Sequence, residues 1–195
     1  MNSTNRSQST SSLAEAFARA GRVVLEMEPR DSPSANDGRP FLGNWLTNER
    51  VDLVGGNLAA MRAQDILSGV TLLVSRADVD AAAIHGYARG VKGFWMMMAA
   101  VVDPRLAKVW LDRTPVGLGN ALEGALTNQL FDAMVPGFVL HWDFADLRKA
   151  IGERRVFWTD PTNWMNQVVP RGPAYRYRYV REDDVASMED FFRDR

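Results

Sequence analysis

The chain has 195 residues, none of them cysteine, with 46% apolar and 24% charged residues and a formal net charge of −1. The length fits one domain with a sizeable core, and the composition is that of a soluble globular chain. The near-zero charge argues against nucleic acid and anionic membranes. The lack of any apolar run of about 18 residues argues against a spanning helix. Without cysteine there are no disulfides, no thiolate metal sites and no cysteine nucleophile.

Residues 1–12 are rich in Ser, Thr, Asn and Gln and have almost nothing to bury. They are read as a loose tail ahead of a single domain over 13–195. They lack the apolar core of a signal peptide, so the chain as given is expected in the cytoplasm, or secreted if a longer precursor carried an export signal. Residues 12–20 then read as a short helix with Leu13, Ala16, Phe17 and Ala20 on one side, ended by Gly21. Arg22 to Glu28 reads as a strand closed by Pro29, and the polar stretch from Asp31 to Pro40 as a loop.

A long helical pattern over Val51 to Ser75 carries Leu58, Met61, Ile66, Val70 and Leu73, weakened locally by Gly55, Gly56 and Gly69. Ile84 to Ala88 is a short strand and Arg89 to Gly93 a tight turn. Phe94 to Val102 is a helix apolar on every side, hence buried, and Asp103-Pro104 stops it. Ala107 to Leu111 is the next strand, ending in Asp112 to Pro115, and helical segments follow over 118–134 and 144–151. Arg155 to Trp158 is a further strand, Tyr175 to Tyr179 a last one, and Val185 to Arg193 a closing helix.

Strand–helix alternation at this spacing predicts an α/β fold, a three-layer, mostly parallel sheet of about five strands with helices on both faces. In such sheets ligands bind beyond the carboxyl ends of the strands. That rule selects Glu28 to Asp31, Arg89 to Gly93, Asp112 to Pro115, Asp160 to Trp164 and the segment after Val180.

Each selected residue has a functional and a plainer reading. Arg89 and Lys92, beside the amino end of helix 94–102, could bind an anion, or be two solvated cations on a turn. Asp112 and Asp160 end adjacent strands, so they could do acid–base work or hold a hard cation, or simply cap turns. His141 has Asp143 nearby as a possible orienting acid, but a histidine among aromatics is also a common packing residue. Trp110, Trp142, Trp158 and Trp164 could line an apolar pocket or stack on a sugar, or fill core and loops. The alternation of Tyr and Arg over 175–179 fits a two-faced strand better than a nucleic-acid surface.

The segment from Ile84 to Pro104 resembles the nucleophile elbow of α/β-hydrolases, a strand, a sharp glycine-rich turn and a buried helix. Matched from both flanks, the elbow's Gly-x-Ser-x-Gly falls on Ala88, Arg89, Gly90, Val91 and Lys92. Gly90 stands where the serine would be, and neither flanking glycine is in place. The order of elements after it is similar to that of acetyl-xylan-esterase-like and dienelactone-hydrolase-like enzymes. In that resemblance Asp160 occupies the place of the triad acid, and the family's histidine would fall near Val180 to Ala186. The two histidines, His85 and His141, lie elsewhere.

The resemblance implies the C-terminal two-thirds of the hydrolase fold, with strand 22–28 corresponding to the family's fourth and the third missing. It therefore predicts either a rearranged sheet in which 22–28 pairs with 84–88, or a homodimer joined at an exposed edge. The implied activity is hydrolysis of small esters or lactones at a non-standard site built from Asp160, Asp112 and His141, with Arg89, Gly90, Lys92 and Trp164 contacting the ligand. No cofactor is implied, although a divalent cation fits the carboxylates. The alternative is a degenerate or truncated hydrolase, or a fragment of one, that binds a ligand or partner without turnover.

Overall fold

The computed structural model describes residues 13–32, 43–124, 126–152, 155–170 and 191–192. In chain order these form helix α1 (13–19), α2 (Trp45–Leu53), α3 (Leu58–Val74), strand β1 (Ile84–Arg89), α4 (Lys92–Val102), β2 (Leu106–Asp112), α5 (Phe144–Ile151) and β3 (Val156–Thr159). Three short 3-10 turns lie between β2 and α5. The strands form one parallel sheet in the order β1-β2-β3. Its register aligns Tyr87 with Trp110 and Phe157, and Arg89 with Asp112 and Thr159.

The run Phe94-Trp-Met-Met-Met-Ala-Ala100 has no polar side because α4 is covered along most of its length, with only its last residues, Val101 and Val102, exposed. It lies on β1 and β2 with α3 and α5 flanking it, and Phe94, Trp95, Met97 and Ala99 are fully buried. Burying a large side chain of this kind contributes roughly 1.5–3 kcal/mol, so α4 is the centre of the core. Phe94 stacks on Phe144 of α5 at 4.9 Å. On β1, Ile84, Gly86 and Ala88 are buried while His85, Tyr87 and Arg89 alternate as half-buried residues of the opposite face. That opposite face meets Phe17 of α1 and the helical pair Phe191 and Phe192. Helices thus contact both faces.

The loops are organised by one buried charge pair. Arg62 of α3 and Asp132 are both completely buried and joined at 2.7 Å. The guanidinium also donates to the backbone carbonyls of Arg30 (3.1 Å) and Asp31, and lies 4.3 Å from the Trp95 ring. Trp95 Nε1 donates to Asp132 O at 2.7 Å, and Asn44 N donates to Asp132 Oδ2 at 3.3 Å. Burial pushes the Asp132 carboxyl up and the Arg62 guanidinium down, and the attraction between them opposes both shifts.

Several elements differ from the sequence expectations. Arg22 to Glu28 is not a strand: it makes no ladder hydrogen bond among the described residues, and Val23 and Val24 are exposed. Side chains hold it instead, with Leu25 and Met27 against Gly69 of α3 and Arg30 gripping Asp65 at 2.5 Å. Strand propensity favours an extended backbone but does not choose a partner. The described sheet therefore has three strands, and the expected strand 175–179 lies outside the described residues. So do the tail 1–12 and the expected closing helix 185–193, apart from residues 191–192.

The pattern over 51–75 is two helices, not one. Val51 belongs to α2, the left-handed Gly55 follows that helix, and Asn57 caps α3 by accepting from Ala60 N at 2.9 Å. Among the described residues of 118–134 there is no α-helix, only 3-10 turns at Gly119–Glu123 and Leu130–Ala133. Asp143 draws the amides of Leu118 (2.7 Å) and Gly119 (3.2 Å) to its carboxylate, and left-handed Gln129 interrupts the remainder of the segment.

Two carboxylates gripped by arginines set an acid limit on stability. Hydrogen bonds from Arg30 and from Arg105 hold the Asp65 and Asp103 carboxyls below the usual range. Their contribution is complete above the ordinary carboxylate pKa and is lost as pH falls through the lower folded value. Urea midpoints should fall below about pH 4 as these two carboxyls protonate, in addition to the decline that the lowered His85 sets below about pH 6.5. The fall should be shallower in Asp65→Asn; an equally steep fall in that variant would contradict the assignment.

Candidate functional site

At the carboxyl edge of the sheet each strand is followed at once by a left-handed residue: Gly90 (φ +64°), Arg113 (φ +48°) and Asp160 (φ +41°). Two of these are not glycine, and each such position costs of order 1–2 kcal/mol. The backbone there is over-determined by its neighbours. Gly90 N donates to Asp112 O (2.9 Å) and Arg113 N to Thr159 O (3.0 Å). Beyond the strand ends, Thr162 N donates to Thr114 O and Val116 N to Thr162 O, so the loops after β2 and β3 stay paired.

Asp112 is the hub of this edge rather than a spare acid. Its carboxylate accepts from Thr159 Oγ1 at 3.0 Å and Tyr87 Oη at 3.1 Å, and Arg89 Nε lies 3.5 Å away. Trp110 Nε1 donates to Thr159 Oγ1 at 2.9 Å, making a chain of bonds that ends on the carboxylate. Tyr87 and Thr159 were not singled out by sequence. The signal for them is positional, because the parallel register puts Thr159 beside Asp112 and β-alternation puts Tyr87 on the same face as Arg89.

The turn after β1 and the first turn of α4 form the other half of the edge. A side chain on Gly90 would meet nothing within 4 Å, whereas a Cβ on Gly93 would collide with Thr114. Thr114 is fully buried, and its hydroxyl has no hydrogen-bond partner among the described residues. The amides of Val91 and Lys92 donate no hydrogen bond among the described residues. Lys92 Nζ sits 3.4 Å from Glu28.

The remaining expected residues are placed elsewhere or engaged elsewhere. Asp160 is half-buried, and its carboxylate takes no hydrogen bond among the described residues. His141 is exposed after a 3-10 turn. The His141–Asp143 pairing is not formed: Asp143 caps α5, accepting from Phe144 N at 2.7 Å besides Leu118 and Gly119. Trp164 is core, its indole donating to Gly117 O at 2.7 Å and its ring against Phe144. Trp110 and Trp158 are also buried, and Trp142 is exposed.

Among the described residues no three His, Asp or Glu side chains gather as a metal site, and no helix is long and apolar enough to cross a membrane. A shallow groove lined by Leu67, Thr71, Val102 and Arg105 lies near the amino end of β2, away from this edge.

The close approach of α4 to the loop after β2 is directly testable. Gly93→Ala should cost about 1–3 kcal/mol, because buried Thr114 has no room to retreat. Adding Thr114→Ala should restore part of that loss in denaturant unfolding; strictly additive losses would refute the contact.

No protein-family model, no curated protein and no solved structure matches this chain.

Proposed function

We propose that the chain is a non-catalytic binding domain on an α/β-hydrolase-like scaffold, holding a small carboxylate-bearing ligand at the carboxyl edge of β1 and β2. The observation that carries this reading is Gly90: a left-handed strand-to-helix turn with open space around it and no side chain to act as nucleophile. Beside it, the amides of Val91 and Lys92 open the 11-residue helix α4, and the Thr114 hydroxyl faces its first turn. Helix amino ends attract anions. The local cations are already matched by Asp112 and Glu28, which favours a single negative charge over a phosphate dianion.

The acid–base groups support binding over turnover. Asp112 is committed to Tyr87, Thr159 and Arg89, and His141 has no orienting acid in Asp143. A second reading is hydrolysis of small esters or lactones by water that Asp160 activates. It is favoured by the strained backbone and free carboxylate of that residue. A homodimer joined at an outer strand, β1 or β3, belongs to the same family of readings and is checked by light scattering.

Two measurements separate these readings. Titrating acetate should move the Val91 and Lys92 amide resonances to saturation, while short acyl esters hydrolyse no faster than in buffer, with or without EDTA. Unmoved amides would remove the anion site. Ester turnover that disappears in Asp160→Ala would establish the hydrolase reading instead.

A further inference from the structure

The sheet face opposite α4 carries rings and cations rather than aliphatic groups. His85 and Tyr87 of β1, Lys108 and Trp110 of β2 and Phe157 of β3 lie on it. Phe191 and Phe192 close over them. Phe191 sits 5.5 Å from His85, 5.6 Å from Trp110 and 5.9 Å from Phe157, so one ring spans all three strands. Phe192 sits 5.5 Å from both His85 and Phe17. Two cations complete the arrangement: Lys108 Nζ donates to Phe191 O at 3.3 Å, and the Arg22 guanidinium lies 4.1 Å from the Phe192 ring.

His85 is the one group in this cluster whose charge changes near neutral pH. It is half-buried, and the charges acting on it among the described residues are both positive: Lys108 from the neighbouring strand and Arg22 from the segment after α1. Among the described residues, the rings packed on it, Phe191 and Phe192, are uncharged.

We propose that Phe191 and Phe192 form a latch on the aromatic face of the sheet, closed while His85 is neutral and released when His85 takes a proton. Protonation would put a third positive charge beside Lys108 and Arg22 in a partly dry site. Two phenylalanine rings, the weaker partners in cation–π contacts, do not offset that. Burial first, and then the two cations, already hold the imidazole below its ordinary range. Closed latch and neutral His85 therefore favour each other. The preference is full above the ordinary histidine pKa, about 6.5, and is lost as pH falls toward the lower closed-state value. Between those two values the open fraction should rise about tenfold per pH unit.

The consequence reaches the carboxyl edge. Trp110 lies under Phe191, and its indole N–H begins the chain through Thr159 to Asp112. Opening the latch would expose that chain to solvent or to a ligand from the second face of the sheet. This device is independent of whether the edge binds an anion.

The test is an NMR titration of the full chain between about pH 7.5 and 4.5, with the two histidine signals told apart by His141→Asn. His85 should titrate below the ordinary range, and its cross-relaxation to the Phe191 and Phe192 rings should vanish in the same transition. Because coupling is reciprocal, Phe192→Ala should raise the His85 titration toward the ordinary value. His85→Gln should keep the Trp110–Phe191 contact at acid pH. If Phe192→Ala does not fold, Phe192→Leu serves the same purpose. Ordinary titration of His85 with its ring contacts intact, or acid opening unchanged in His85→Gln, would overturn the proposal.

Discussion

The pair of Arg62 and Asp132 ties together more of the described chain than any other ion pair among the described residues. Two opposite charges with no solvent exposure must satisfy one another and every remaining donor, because a stranded charge in the core is far more costly than a broken surface bridge. The guanidinium meets that demand with the carbonyls of Arg30 and Asp31 and the face of Trp95, and the carboxylate meets it with Asn44 N. The stretch before α2, the flank of α3, the inner side of α4 and the loop before α5 are thereby held to one arrangement. The segment after α1, which has no strand partner among the described residues, is anchored at its far end in this way.

With those segments fixed, α4 can sit where it does, and the edge of the sheet follows. Its first turn is placed by the Gly93–Thr114 approach, and the loop carrying Thr114 is held by Thr162. Asp112 then gathers the ends of all three strands: Arg89 and Tyr87 from β1, its own backbone under Gly90, and Thr159 from β3. A carboxylate so engaged organises a surface more readily than it moves protons. Among the described residues, the unengaged features at this edge include the open position at Gly90, the amides of Val91 and Lys92, the Thr114 hydroxyl and the carboxylate of Asp160.

The features legible in the sequence were those that depend on local pattern. The strands of the sheet and helices α4 and α5 sit within two residues of their expected bounds, since apolar runs and periodicity carry that information. Segment 22–28 has the composition of a strand, but pairing depends on residues far away in sequence. Residues 118–134 look helical until Asp143, which lies beyond them, competes for the amides of Leu118 and Gly119. The buried pair left one trace in sequence: Arg62 falls among Leu58, Ala59, Ala63 and Ile66, on the buried side of α3. A charge in an apolar stripe demands a partner, but nothing local identifies Asp132 as that partner. At the site, sequence selected Arg89, Gly90, Lys92 and Asp112, which do lie together at one edge. It missed Tyr87 and Thr159, whose roles exist only once the register is set, and selected Thr114 only as part of the turn from Asp112 to Pro115.

The central claim is that Arg62 and Asp132 act as one unit, and a double-mutant cycle with Arg62→Met and Asp132→Leu measures it most directly. Each single substitution strands a buried charge and should cost about 3–5 kcal/mol in denaturant unfolding. The double variant should lose clearly less than the sum, leaving a coupling of about 2–3 kcal/mol. Losses that simply add would show that the two side chains act separately, and the account of the fold built on them would fall.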